Sequence, residues 1–254
     1  MTVLEFALLV LAGVGAGLTG SIAGLASLIS YPALLATGVP PVTANVTNTV
    51  SLVLSSVGSV SASGPELRGQ GRRVVRLAGA AAVGGAAGAA LLLLTPAAAF
   101  EKIVPWLIAA ASVAILVQRP PRELAAAHAG APAPARDPGW LLPATIGIGI
   151  YGGYFGAAAG VLMLAAYLIG TGEGLPRSNA LKNVILGVAN AVAAVGYIVL
   201  SHVDWLAAVP LAIGLFVGGR LGPRVVRRAP QTALRRIIAV AGLALAVRLA
   251  LQAY

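Results

Sequence analysis

Two short polar patches hold most of the side chains that could bind a ligand: TANVTNTVS, residues 43–51, and RSNALKN, residues 177–183. The first offers Asn45, Thr47, Asn48, Thr49 and Ser51, the second Asn179, Lys182 and Asn183. These are amide, hydroxyl and ammonium donors, and donors converging from several directions are what a small oxyanion needs. Each patch follows a glycine-spaced stretch, GLTGSIAG at 17–24 and the glycines at 153, 156 and 160. Glycines three and four residues apart permit close helix contact in lipid. A chain break between Gly20 and Gly24, and again between Gly156 and Gly160, would instead expose helix N-termini whose amides bind anions. Both readings stay open. Under the second, the candidate substrate contacts are Gly20, Ser21, Gly24, Asn45, Thr47, Asn48, Gly156, Gly160, Asn179, Lys182 and Asn183. Lys182 itself has two readings: it snorkels to the interface, or it points inward and attracts the anion.

Catalytic chemistry finds no footing. His128 falls in a linker and His202 in a short loop, and the seven acidic residues read as terminal or loop-associated. No HExxH, GxSxG, Walker A or metal-ligand cluster occurs, so neither an enzyme nor a cofactor is expected. The absence of cysteine removes thiolate metal sites, disulfides and cysteine nucleophiles. A carboxylate for proton coupling within the membrane would require Glu5 or Glu173 to fold inward.

The elements that carry these residues are membrane helices. Of 254 residues, 59% are hydrophobic and 9% charged, against about 25% charged in soluble domains. Apolar runs cover about 3–19, 21–36, 42–63, 74–94 and 97–117, then 141–155, 157–170, 179–200, 204–219 and 233–252. The second run of each set is short for a span, so the first two of each set are expected to form a re-entrant or strongly tilted hairpin. The start lacks a basic region and carries Glu5, so the first helix is expected to be retained. The net charge of +10 is spread over short loops between apolar runs, which points to membrane topology and away from nucleic acid.

The chain also repeats. A shift of 136 superimposes Gly13, Gly17, Gly20, Gly24, Pro40 and Ala44 on Gly149, Gly153, Gly156, Gly160, Pro176 and Ala180. A shift of 134 superimposes Gly84, Gly85 and Gly88 on Gly218, Gly219 and Gly222. Two repeats follow, residues 1–118 and 140–254, joined by a Pro-, Ala- and charge-rich linker at 119–139. The loop after the third run is basic in the first half, with Arg68, Arg72, Arg73 and Arg76, and nearly uncharged in the second. After the fourth run the pattern is swapped, with Arg220, Arg224, Arg227, Arg228, Arg235 and Arg236 in the second half. If basic loops face the cytoplasm, the halves are inverted and the linker is cytoplasmic. The expected fold is an all-α, polytopic transmembrane bundle of two inverted-topology repeats with broken or re-entrant glycine-rich hairpins.

With its two glycine-rich hairpins, each followed by Pro, Ala and a Thr or Asn (Pro40, Ala44, Thr47; Pro176, Ala180, Asn183), the chain resembles the sulfite exporter TauE/SafE family. Asp204-Trp205 and the GGRLG of 218–222 extend the resemblance to nearly the full length. It implies a multi-pass permease of a bacterial cytoplasmic membrane, with the lipid bilayer and a small anion as partners. It implies sulfite, a sulfonate or a related organosulfur oxyanion as substrate. Inverted repeats imply alternating access. The alternative is an anion channel or a non-transporting scaffold subunit that uses the glycines for packing alone.

Overall fold

The computed structural model describes residues 1–118, 121–127, 137–225 and 231–254, with backbone only at 225 and 231–234. His128, Arg227 and Arg228 lie outside the described residues, as does most of the linker. The described residues are helical: α1 Val3–Ala23, α2 Ser27–Ala36, α3 Pro41–Ser61, α4 Gly64–Leu67, α5 Gly71–Leu94, α6 Ala97–Val117, α7 Pro121–Ala127, α8 Leu141–Tyr154, α9 Ala159–Thr171, α10 Leu175–Leu200, α11 Trp205–Val225 and α12 Gln231–Ala253. Among them α1, α5, α6, α10, α11 and α12 are long and apolar enough to cross a membrane. At 1.5 Å per residue, α2, α8 and α9 reach only about 15–21 Å, short of a hydrocarbon core of about 30 Å.

Local chemistry sets the helix ends. Thr2 caps α1 through a capping box: its Oγ1 accepts from Glu5 N at 3.2 Å, and its N–H donates to Glu5 Oε2 at 2.7 Å. Glu5 is therefore a cap and does not fold inward. Prolines occupy the first turn of α3, α4 and α10, where the missing N–H costs nothing. The linker is not structureless throughout, since Pro121–Ala127 forms α7. Glu101, expected in a loop, lies inside α6.

Helix α3 has the length of a span but not the composition, because ten of its 21 residues are Ser, Thr or Asn. Polar groups in hydrocarbon need partners, and α3 finds them by lying inside the bundle against α10 and α11. The packing pairs come in matched couples. α1 lies along α11 and α8 along α5; α3 lies along α11 and α10 along α5; α6 packs on α12, and α3 on α10.

Glycine makes the two longest contacts possible. A Cβ at Gly13 or Gly17 of α1 would stand 2.5 Å from a carbonyl oxygen of α11, at Leu211 or Leu215. A Cβ at Gly84 of α5 or Gly153 of α8 would meet Ile146 O or Gly85 O at the same distance. The packing reading therefore holds for Gly13, Gly17 and Gly153, whose backbones approach closer than a side chain allows, and Gly149 packs tightly with its Cβ position 3.2 Å from Gly84 Cα.

A charged cluster closes one end of the bundle. Arg73 pairs with Asp137 at 2.8 Å and Glu173 at 3.1 Å, Arg76 with Asp137 at 2.6 Å, and Arg177 with Glu173 at 2.6 Å. Glu173 thus serves the end of α9 and does not reach the bundle interior.

Candidate functional site

The chain does break twice, a few residues later than the glycine spacing alone predicts at the first break. Gly20 is still helical; α1 runs to Ala23 and ends at Gly24, whose φ of +77° is left-handed and whose N–H donates to Gly20 O at 2.8 Å. α2 then starts at Ser27. The second break spans 155–158, with left-handed backbone at Gly156 (φ +75°) and Ala158 (φ +59°). At Gly24 the left-handed turn favours glycine, and so does space: a Cβ there would strike the Gly160 backbone, and a Cβ at Gly160 would lie 2.5 Å from Gly24 Cα. The two breaks cross at Gly24 and Gly160.

A cavity opens beside this crossing. About 40 Å³ of it admits the centre of a water-sized sphere, room for roughly three waters at about 10–15 Å³ each. Six of the expected site residues, Gly20, Ser21, Gly24, Gly156, Gly160 and Asn183, line it. Both half-length helices start at its wall, α2 at Ser27 and α9 at Ala159, and a helix N-terminus carries partial positive charge. Ser21 Oγ and Asn183 Nδ2 are buried at this wall without a hydrogen-bond partner. Unpartnered buried donors are rare and costly. No charged side chain lines the cavity.

The other five expected residues stand behind the wall and hold it. Asn45 Nδ2 donates to Tyr154 O at 2.8 Å, securing the end of α8. Asn179 Nδ2 donates to Ser21 O at 2.8 Å, securing the end of α1. Asn48 accepts from Ser30 Oγ at 2.5 Å and donates to Ser27 Oγ at 3.3 Å, fixing the start of α2. Thr47 Oγ1 accepts from Asp204 N at 3.0 Å, just ahead of α11. Lys182 points inward, with its ammonium on backbone carbonyls. It is 0% exposed, so it does not snorkel, and its Nζ donates to Gly20 O at 2.8 Å and Ser21 O at 3.3 Å. The ammonium thus sits on the negative end of α1. Tyr151 bridges the second break by donating to Ala157 O at 2.6 Å.

Ser27, Ser55, Ser56, Ser59 and Asn190 also line the cavity and are absent from the sequence-derived set. A signal for them exists. Ser51, Ser55 and Ser59 recur every fourth residue along one face of α3, and Asn190 is a lone amide in the apolar run ILGVANAVAAV.

Residues 9–249 match the profile of the sulfite exporter TauE/SafE family. The chain is 26% identical over 102 residues to the probable membrane transporter protein YfcA of Escherichia coli strain K12, and equally to that of strain O157:H7. Each alignment takes in 40% of this chain and 38% of the relative, so the match spans about two fifths of the curated relatives' length. No solved structure matches the chain. A profile match from the first helix to the last, over a bundle with six membrane-length helices, leads to one conclusion: the chain belongs to the sulfite exporter TauE/SafE family of membrane transporters.

Proposed function

We propose that the protein is a permease of a bacterial cytoplasmic membrane that carries a small oxyanion, sulfite or a small sulfonate, by alternating access between two inverted repeats. The repeats are residues 1–118 and 140–254, and the linker at 119–139 is cytoplasmic. The observation that carries this reading is the cavity where two half-length helices begin, lined by Ser21 and Asn183, whose Oγ and Nδ2 are buried without a hydrogen-bond partner. A trigonal oxyanion presents acceptors in three directions. The hydroxyls, the amide and the two helix N-termini would meet them without a carboxylate to repel the charge. Lys182, behind the wall, adds positive charge nearby without touching the ligand.

The repeat reading draws support from the matched packing couples, each of which turns into its partner when the halves are exchanged. It also draws support from the crossing itself. Gly24 and Gly160 are mates under the shift of 136 and touch each other, as residues on a two-fold axis must. Asp137, at the end of the linker, meets Arg73 and Arg76 at the basic start of α5. At the opposite end the Tyr254 hydroxyl meets Lys102 O at 3.3 Å. These contacts fit a cytoplasmic linker and an external C-terminus.

Two experiments test the proposal. Purified protein in liposomes is expected to give sulfite flux that saturates with concentration. Single-channel currents would identify a channel instead, and no flux for any of a panel of small oxyanions would leave a scaffold. Because the chain lacks cysteine, Arg72→Cys, Ala98→Cys and His202→Cys, all at exposed positions, report sidedness to an impermeant maleimide in intact cells. Labelling is expected at 98 and 202 only. Positions 72 and 202 on the same face would sink the inverted repeat.

A further inference from the structure

The carbonyl end of a broken membrane helix is a place where cations bind, because unwound carbonyls and helix C-termini carry partial negative charge and coordinate sodium in some transporters. In this protein that end of α1 is already filled. Lys182 Nζ donates to the Gly20 and Ser21 carbonyl oxygens at 2.8 and 3.3 Å from a fully buried position. Asn179, one turn earlier on α10, donates its Nδ2 to the same Ser21 O at 2.8 Å. Its Oδ1, buried on the same residue, has no partner. Among the described residues no carboxylate forms an ion pair with Lys182; the paired acids are Asp137 and Glu173.

The corresponding end of α8 is managed without charge. Val46 stands at the position that a shift of 136 assigns to Lys182. There the Gly153 carbonyl accepts from the Tyr197 hydroxyl, and the Tyr154 carbonyl accepts from Asn45 Nδ2. Neutral donors therefore suffice to cap such an end, so the cation at α1 answers a need beyond hydrogen bonding.

We propose that Lys182 is a tethered cation: its ammonium occupies the place of a free monovalent cation at the Gly20 and Ser21 carbonyl oxygens, which Asn179 helps to hold, so that the substrate cavity assembles without sodium. Gly20 and Ser21 belong to both structures, since they line the cavity on one side and accept from Lys182 on the other. Lys182 is thus a positioning residue for the Ser21 hydroxyl. Its consequence for transport rests on the permease reading above; its consequence for stability does not.

Lys182→Ala would vacate the space of the chain from Cγ to Nζ, room for a small cation with water, and leave the carbonyl oxygens in place. The test uses the full-length protein in detergent, without substrate, melted in ammonium chloride, sodium chloride or choline chloride at equal ionic strength. Choline is too large for the vacated space. Wild type is expected to melt at one temperature in all three salts. Lys182→Ala is expected to melt lower in choline and to recover in ammonium or sodium, by about 2–4 °C once the salt reaches about four times its dissociation constant. Asn179→Ala in the same background removes the recovery, and Lys182→Met, which fills the space with an apolar chain, shows none. A Lys182→Ala protein blind to the cation overturns the proposal, as does recovery of Lys182→Met to the same extent. Should Lys182→Ala fail to fold in every salt, the wild-type protein decides: a sodium-dependent rise in its melting temperature refutes a tethered cation, and a flat response supports it. Since substrate is absent, failure of the oxyanion reading would not move any of these results.

Discussion

The two helix breaks differ both in backbone and in what holds it. The first is short: α1 ends at Gly24 and α2 starts at Ser27, with one left-handed residue between helical segments. Its carbonyl end takes a buried ammonium and an amide, from Lys182 and Asn179. The second is longer, with left-handed residues at both Gly156 and Ala158. Neutral groups hold it: the Tyr197 hydroxyl on Gly153 O, Asn45 on Tyr154 O, and Tyr151 on Ala157 O. Phe155 adds an edge-on contact with Tyr31 of α2 at 5.3 Å between ring centroids. Residues paired by the shift of 136 therefore differ in backbone as well as in side-chain partners: Gly24 is left-handed where Gly160 is helical, and Gly156 is left-handed where Gly20 is helical. Function that depends on charge is then asymmetric even where the fold is matched.

The largest effect is expected where the breaks touch. Gly24→Ala combines a left-handed backbone, costing about 1–2 kcal/mol for a non-glycine residue, with a Cβ driven into the Gly160 backbone, costing about 1–3 kcal/mol as overpacking. Gly38→Ala is the control, because Gly38 also has positive φ, at +85°, but open space around its Cβ position. It should lose only the backbone part. Equal losses at 24 and 38, measured by thermal or denaturant unfolding, would mean that the crossing does not constrain the bundle.

A smaller difference separates the two carbonyl ends. Lys182→Met removes hydrogen bonds from a charged donor, about 1.5–3 kcal/mol, whereas Tyr197→Phe removes a neutral one, about 0.5–1.5 kcal/mol. The first break should accordingly lose more on removal of its principal donor. Unfolding of both variants in choline chloride checks this, and a Tyr197→Phe protein less stable than Lys182→Met would reverse the comparison.

Much of this arrangement was legible in the sequence, and the parts that were not share a physical cause. Glycine spacing located both breaks because few residues tolerate a helix–helix approach under 3 Å or a left-handed turn, so their positions are constrained one by one. It misplaced the end of the first helix, since Gly20 and Gly24 are equally good stops until the Gly160 contact chooses between them. Polarity in an apolar chain marked Asn45, Thr47, Asn48, Asn179, Lys182 and Asn183 as interior, and all six are buried. Which of them turn to the cavity depends on rotation of α3 and α10 by less than one residue step, about 100°, and no local pattern fixes that. Lys182 is the sharpest case. Its type left snorkelling and burial both open, because the carbonyls that hold it inside belong to Gly20 and Ser21, more than 160 positions away in the chain.

Thr47 and Asn183 bring the comparison to its smallest and most decisive form, because they are mates under the repeat and the structure gives them opposite tasks. Thr47 accepts from Asp204 N, while Asn183 lines the cavity, as Ser21 does, and its Nδ2 has no partner. The measurement is the melting temperature of the purified protein as sulfite is titrated, since a ligand that binds only the folded state raises it by mass action. Wild type is predicted to rise with sulfite. Thr47→Ala should start lower, by about 1 kcal/mol for a lost hydrogen bond, and keep the full rise. Asn183→Ala and Ser21→Ala should start near wild type and lose the rise. If the Asn183 and Ser21 variants respond to sulfite as wild type does, the cavity between the two breaks is not the binding site.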